Sequence, residues 1–325
     1  MRERCQEPGC NAPKGLCKKF TNQEFLKCPS YNKSNKEEKA SQMQSKGQIT
    51  TIPWSGVALQ PSEISLVSHR SSPKIIGIIG AASAGKTSYL GMLYTLLFNG
   101  KKFEQWCFAG SYTLIAWETL AKYLRIQSNG QPEFPEPTPS NPDFYSLYHL
   151  ALRKENHFYD ILFADSSGEV FTLWAGNIHD ENAVNAQWIY QQSHAFIFFI
   201  DSEAIIKEKG VAKRKISQLA SQVKADLNNR PIVIVWSKAD LLDQALSNIK
   251  SAIEDVIAKQ FPKALSIKIS NFSETDPDTL CHVNNLRVTE YLLNELSQPQ
   301  TMKISPDLGE TKDFFFKYQG SYGNK

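Results

Sequence analysis

The sequence predicts a three-layer α/β fold whose sheet is mostly parallel with one antiparallel strand, preceded by a small N-terminal cysteine-rich segment. Three observations predict it. Short apolar runs bounded by turn residues alternate with longer helix-forming stretches, as a parallel sheet covered on both faces requires. Two β-rich runs, 144–152 and 158–165, are separated by only five residues, which is hairpin spacing and makes that pair antiparallel. A glycine-bounded turn, GAASAGKT, sits between the first apolar run and the first apolar helix.

The elements follow in order. Residues 29–50 are polar and nearly free of large apolar side chains, so they read as a linker. KIIGIIG (74–80) reads as a buried strand, and 86–98 has the length and apolar density of a helix. Residues 112–126, rich in Leu, Ala and Tyr, read as a second helix. Five prolines within 128–142 hold that stretch as an extended loop. After the hairpin come a helix over 181–193, a buried strand over 195–201, a charged amphipathic helix over 203–228 and a strand over 231–237. A helix over 240–260, a last strand over 264–270 and a helix near 278–296 complete the alternation. The tail, 297–325, is polar with one aromatic knot, Phe314, Phe315 and Phe316.

Composition narrows the function. The chain has 325 residues, 41% apolar and 21% charged, which suits about two domains or one large domain with extensions. The net charge of +3 does not mark a nucleic-acid binder, and the basic run 207–215 reads as a solvated helix face. The longest apolar stretch, 195–200, falls far short of the roughly 18 residues that span a bilayer. The first residues have no apolar core of the kind a signal peptide needs. A membrane span, a secreted disulfide scaffold and a fibrous chain are excluded on this reading, and the cytoplasm is the expected compartment.

Four of the six cysteines, Cys5, Cys10, Cys17 and Cys28, fall within the first 28 residues with the spacing C-x4-C-x6-C-x10-C. In a reducing compartment such a cluster reads as a set of zinc ligands before it reads as disulfides, and Zn2+ would have to fold a segment too small to bury a core. The isolated Cys107 and Cys281 read as small buried hydrophobes.

The turn Gly80-Ala81-Ala82-Ser83-Ala84-Gly85-Lys86-Thr87, followed by Ser88, fits G-x-x-x-x-G-K-[ST] between a strand and a helix. Its glycines let the backbone wrap a phosphate, so that successive N–H groups and the helix N-terminus face the anion. Lys86 is placed to bridge β- and γ-phosphates and Thr87 to ligate Mg2+. The strand 158–165 ends in Asp165, a second Mg2+ ligand, and opens Asp165-Ser166-Ser167-Gly168, a D-x-x-G motif whose Gly168 N–H would meet the γ-phosphate. Glu169, next in line, is the candidate water-orienting residue. Ser237-Lys238-Ala239-Asp240 follows the strand 231–237; Asp240 would accept both edge N–H groups of guanine, and Lys238 would lay its stem over the base. Ser270, opening Ser270-Asn271-Phe272, is a guanine contact by position.

With these motifs, residues 73–296 resemble the P-loop GTPases of the TRAFAC class, a Ras-like fold. The motif S-K-A-D departs from [NT]-K-x-D by its serine. The surplus over a minimal domain lies at 100–143, and that insert, with cysteines at the N-terminus, resembles the second type of bacterial double GTPase. The resemblance implies GTP and GDP as ligands, protein partners encoded nearby (another GTPase among them) and a role in predicted GTPase-centred defence systems. The insert occupies the place of the first switch, with Thr113 the leading Mg2+-sensing threonine and Ser111 and Thr138 the alternatives. Arg125 and Arg153 lie in the half of the chain where an arginine finger could arise. The function expected is a nucleotide-operated switch with slow Mg2+-dependent GTP hydrolysis; an ATPase and a zinc-headed adaptor with a P-loop scaffold are the alternatives.

Overall fold

The computed structural model describes residues 56–124, 136–273 and 276–298, together with Cys5, Pro8, Cys10, Asn11 and residues 27–31. The chain divides into two compact units, Met1–Trp54 and Ser55–Lys325. Cys17, most of the expected linker, Arg125 and the tail beyond 298 lie outside the described residues.

The second unit holds a seven-stranded sheet. Its strands are β1 (Lys74–Ile79), β2 (Cys107–Gly110), β3 (Ser146–Lys154), β4 (His157–Asp165), β5 (Ala195–Asp201), β6 (Ile232–Ser237) and β7 (Leu265–Lys268), in the order β2-β3-β4-β1-β5-β6-β7. β1 pairs in parallel with β4 and β5, and β6 in parallel with β5 and β7. β3 runs antiparallel to both β2 and β4, so one strand alone opposes the rest. The α-helices are α1 (Lys86–Phe98), α2 (Leu114–Lys122), α3 (Gly168–Gly176), α4 (Val184–Gln192), α5 (Ser202–Glu208), α6 (Gly210–Ala225), α7 (Ser247–Gln260) and α8 (Asn284–Ser297).

The central strands β1, β5 and β6 are apolar along most of their length, with polar residues only at their ends, because both faces of the sheet are covered. Alternate residues divide cleanly between two cores. Phe196, Phe198 and Ile200 of β5 pack with Phe171 and Trp174 of α3, Ile189 of α4, Leu219 of α6 and Ile257 of α7. Ala195, Ile197 and Phe199 pack on the opposite face with Leu90 and Leu93 of α1, Trp117 of α2 and Leu292 of α8. Full burial of each such side chain stabilises by about 1.5–3 kcal/mol, so the sheet is a rigid platform for the loops at its edges.

Several boundaries differ from the sequence reading. β3 is shifted two residues towards the C-terminus of the expected run, β4 starts one residue earlier than expected, and the chain turns between them at Glu155, which takes φ 52°. The helix expected over 203–228 breaks at Lys209, with φ 51° and ψ −116°, into α5 and α6. The helix expected over 278–296 opens with a π-helical turn, Asp278–Val283, before α8. The edge strand β2 was not expected at all: CFAG is short, and three of its four residues are exposed, so no apolar alternation announces it.

Candidate functional site

The nucleotide motifs come together where the parallel strands end. β1 runs into the glycine-bounded turn, which α1 closes. Gly85 takes φ 83°, a left-handed conformation that costs glycine little, and lets the chain enter α1 directly at Lys86. Lys86 is buried, and its Nζ donates to the carbonyls of Gly80 (3.2 Å) and Ala81 (3.1 Å). Burial drives its pKa down to about 8, against the opposing pull of the Asp165 carboxylate. An ammonium held this way is poised for an anion, because a phosphate would restore the charge that burial penalises.

Thr87 Oγ1 donates to Asp165 Oδ2 at 2.7 Å. Its single proton is thereby committed, so the Thr138 hydroxyl, 3.1 Å away, is the donor to Thr87 Oγ1. Asp165 is buried at the end of β4. Burial raises its pKa, while Lys86, Thr87 and the Ser166 amide oppose the rise. Its Oδ1 atom is buried and has no hydrogen-bond partner among the described residues. A buried carboxylate oxygen with an open lone pair, flanked by two hydroxyls, is a donor set that suits Mg2+.

Thr113 lies elsewhere. It is fully buried, and its Oγ1 accepts from the His149 amide of β3 at 2.8 Å. Ser111 Oγ and Trp117 Nε1 both donate to the His149 carbonyl, at 2.6 and 2.9 Å. The His149 ring continues the tie. Its Nδ1 accepts from Tyr112 N at 3.0 Å, so the neutral ring carries its proton on Nε2 and donates to Asp160 Oδ1, also at 3.0 Å. Arg70 closes the chain at 2.6 Å from Asp160. Burial lowers the His149 pKa, with Asp160 opposing, which keeps the ring neutral. These bonds fasten residues 111–117 to β3, so Thr113 and Ser111 both serve the packing of the insert, and Thr138 is the hydroxyl beside Thr87.

Gly168 begins α3 directly against the phosphate loop. A Cβ there would stand 2.0 Å from Ala81 C and from Ala82 N, so no other residue fits in this arrangement. The Ser167 hydroxyl caps the helix by accepting from Glu169 N at 3.2 Å. The Glu169 side chain is exposed and lines a cavity with Ala81 and Ala82. Asn185 of α4, which carries no motif, joins the 141–144 stretch to the loop that follows β4. Its buried Nδ2 lies 3.1 Å from Asn141 O, Phe144 O and Ser166 Oγ.

At the end of β6, Ser237 donates to Ile200 O at 3.3 Å, and Lys238 takes φ 50°. Lys238 Nζ meets Asp201 Oδ2 at 2.9 Å and Glu203 Oε2 at 2.8 Å. Burial alone would lower the Lys238 pKa; the bonds to Glu203 and Asp201 outweigh it and raise the value. Glu203 is pulled down to about 2 by hydrogen bonds from Lys207 and Lys238. Asp240 is exposed in a 3-10 turn, and its carboxylate has no partner among the described residues. The Ala239 amide donates to Ile269 O at 3.0 Å, which joins this turn to the loop holding the buried Ser270. Asn285 of α8 braces that loop through Nδ2 to Asn271 Oδ1 at 3.1 Å.

Other expectations fare differently. Cys5, Cys10 and Cys28 are buried with Tyr31 in a small cluster, but no group of three metal-ligating side chains forms among the described residues, so the zinc reading has no support there. Cys281 is buried, and burial pushes its thiol up to about 11, whereas Cys107 is exposed on the sheet edge, contrary to the core role expected for it. In the basic run, Lys207 pairs with Glu203 and Lys215 with Glu208. No helix among the described residues is long and apolar enough to cross a membrane.

The model of the double-GTPase 2 family matches residues 74–296, the span that carries all of these motifs. The chain belongs to this family. No curated protein matches it. Solved structures that are similar to the chain include Methanosarcina barkeri Roco2 RocCORdC bound to GDP, at 11% identity and a TM-score of 0.36, covering 69% of this chain and 48% of that one. Two others are a variant of SsGBP (15% identity, TM-score 0.38, covering 73% and 62%) and a GTP-binding protein from Sulfolobus solfataricus in complex with GDP (15%, 0.36, covering 69% and 53%). The chain thus spans about half to under two thirds of these proteins. Membership of the double-GTPase 2 family rests on the family model, and the motifs read from the sequence lie inside it.

Proposed function

We propose that this double-GTPase 2 chain binds GTP with Mg2+ and hydrolyses it slowly, acting as a nucleotide-operated switch. The observation that carries the reading is the Thr138–Thr87–Asp165 chain beside Lys86, with one Asp165 oxygen buried and unsatisfied. Thr87, Asp165 and Thr138 would hold Mg2+. The ion supplies charge neutralisation for the β- and γ-oxygens. Lys86 leaves the carbonyls of Gly80 and Ala81 for the phosphate oxygens, and the loop amides from Ala81 to Ser88 line the rest of the anion. Water, oriented by Glu169 from the cavity beside Ala81 and Ala82, attacks the γ-phosphorus in line; the bond to the bridging oxygen breaks, that oxygen leaves with GDP, and the water's proton ends on the released phosphate. Gly168 offers its amide to the γ-phosphate, and its contact with the loop must open to admit that group.

Asn185 supports the switch reading. It bonds to both the 141–144 stretch and Ser166, so a shift of one loop on phosphate release is passed to the other. Asp240, Lys238 and Ser270 would read guanine, with Asp201 and Glu203 holding the Lys238 head. A setting in bacterial defence rests on the family alone.

Phosphate release from GTP as Mg2+ is varied tests the proposal. Thr138→Val is expected to raise the Mg2+ concentration for half-maximal turnover about tenfold, the equivalent of 1.4 kcal/mol. Thr113→Val is expected to leave that concentration unchanged and to lower stability by about 1–3 kcal/mol, since it strands the buried His149 amide. The reverse pattern would return the role to Thr113.

A further inference from the structure

A second surface lies apart from the nucleotide site. At the β2 edge of the sheet, an apolar groove of about 700 Å3 runs between the end of α1 and the insert, lined by Tyr94, Leu97, Phe98, Trp106, Phe108 and Leu114. Phe98 and Phe108 are 73% and 54% exposed, an unusual cost for two aromatic rings so close together. β2 is the edge strand of the sheet, and among the described residues its outer side has no strand partner. Lys101, Lys102 and Glu104 line the same groove, so it offers both signs of charge.

The chain itself leads to this place. α8 lies against the groove floor: Glu290 Oε1 accepts from the amides of Glu104 (2.7 Å) and Gln105 (3.3 Å), and Asn294 Oδ1 accepts from Trp106 Nε1 at 3.0 Å. α8 ends at Ser297, one turn past Asn294. Seventeen residues farther along stands Phe314, opening Phe314-Phe315-Phe316, with Asp313 before it and Lys317 and Tyr318 after it. A polar chain of that length has a root-mean-square reach of about 20 Å, enough to return to the groove.

We infer that residues 299–325 dock in this groove in cis, seating the Phe314–Phe315–Phe316 side chains among Phe98, Trp106 and Phe108. The charges flanking the aromatic run, Asp313 and Lys317, are opposite to those of Lys101 and Lys102 and of Glu104 in the groove. The tether gives the segment an effective concentration in the millimolar range, so the contact forms within one chain without dimerisation. Because the groove includes Leu114, the first residue of α2, the docked segment also braces the insert that stands in the place of the first switch.

Cys107 is exposed and lines the groove, so it reports occupancy. Its alkylation rate in the full chain would be followed by mass spectrometry of the labelled peptide. Three proteins are compared: wild type, the triple variant Phe314→Ser, Phe315→Ser, Phe316→Ser, and a chain ending at Gln298. Cys107 of the wild type is expected to react about tenfold more slowly than in the other two. A synthetic peptide of residues 305–320 is expected to restore protection to the shortened chain. Equal rates in all three proteins overturn the inference. Protection that grows with protein concentration also overturns it, in favour of a second copy in the groove. GTP binding, measured alongside, tests the nucleotide reading separately, since no groove residue belongs to that site.

Discussion

Asp240→Asn is expected to lower GTP affinity about 100-fold and to remove the preference for GTP over ATP. The carboxylate is exposed and free of partners among the described residues, so its substitution disturbs no packing. Its proposed task is to accept two N–H groups from guanine. Hydrogen bonds to a charged group contribute about 1.5–3 kcal/mol each, and the amide that replaces one oxygen presents a donor to a donor. Even the lower end of that range, taken twice, gives a loss of about two decades. Xanthosine triphosphate, whose oxygen replaces the guanine amino group, is expected to bind the variant better than GTP does. Competition against a fluorescent guanine nucleotide measures both effects; unchanged GTP affinity would remove Asp240 from the base site.

Lys86→Ala is expected to cut GTP turnover roughly 1,000-fold, the scale seen when a charge-stabilising donor is removed from a reacting centre. A second signature goes with it. With its pKa held at about 8 by burial, Lys86 is partly neutral in the nucleotide-free protein near and above that pH. A polyphosphate favours the charged form, so binding takes up a proton, and affinity falls as pH rises above about 8. Calorimetry at about pH 9 in two buffers of different ionisation enthalpy is expected to show this proton uptake in the wild type and none in Lys86→Ala. Equal proton uptake in both proteins would assign it to another group.

What was legible in the sequence was local. The phosphate loop, Asp165 to Gly168 and Ser237 to Asp240 each follow a buried strand directly, and a parallel sheet puts such strand ends side by side. Elements that are unbroken apolar runs of strand or helix length, such as β1, β5, β6 and α1, were legible from their own residues. What was not legible depends on contacts between distant segments. The insert offers several hydroxyls, and only the His149 tie to residues 111–117 shows why Thr138, not Thr113, stands beside Thr87. Asn185 belongs to no motif, and its role comes from three acceptors brought together by folding. Asp201 and Glu203 sit 35 or more residues from Lys238 in sequence, yet hold its ammonium. β2 is too short and too exposed to carry a pattern. The break at Lys209 falls inside an amphipathic run, where a left-handed residue leaves the hydrophobic period almost intact.

The most direct test of the account is equilibrium binding of the purified full chain to a labelled guanine nucleotide in Mg2+, displaced in turn by GTP and by ATP. The account predicts that GTP displaces the label at concentrations at least about 100-fold below those ATP needs. Equal displacement by the two nucleotides, or no binding of the label at all, would contradict it.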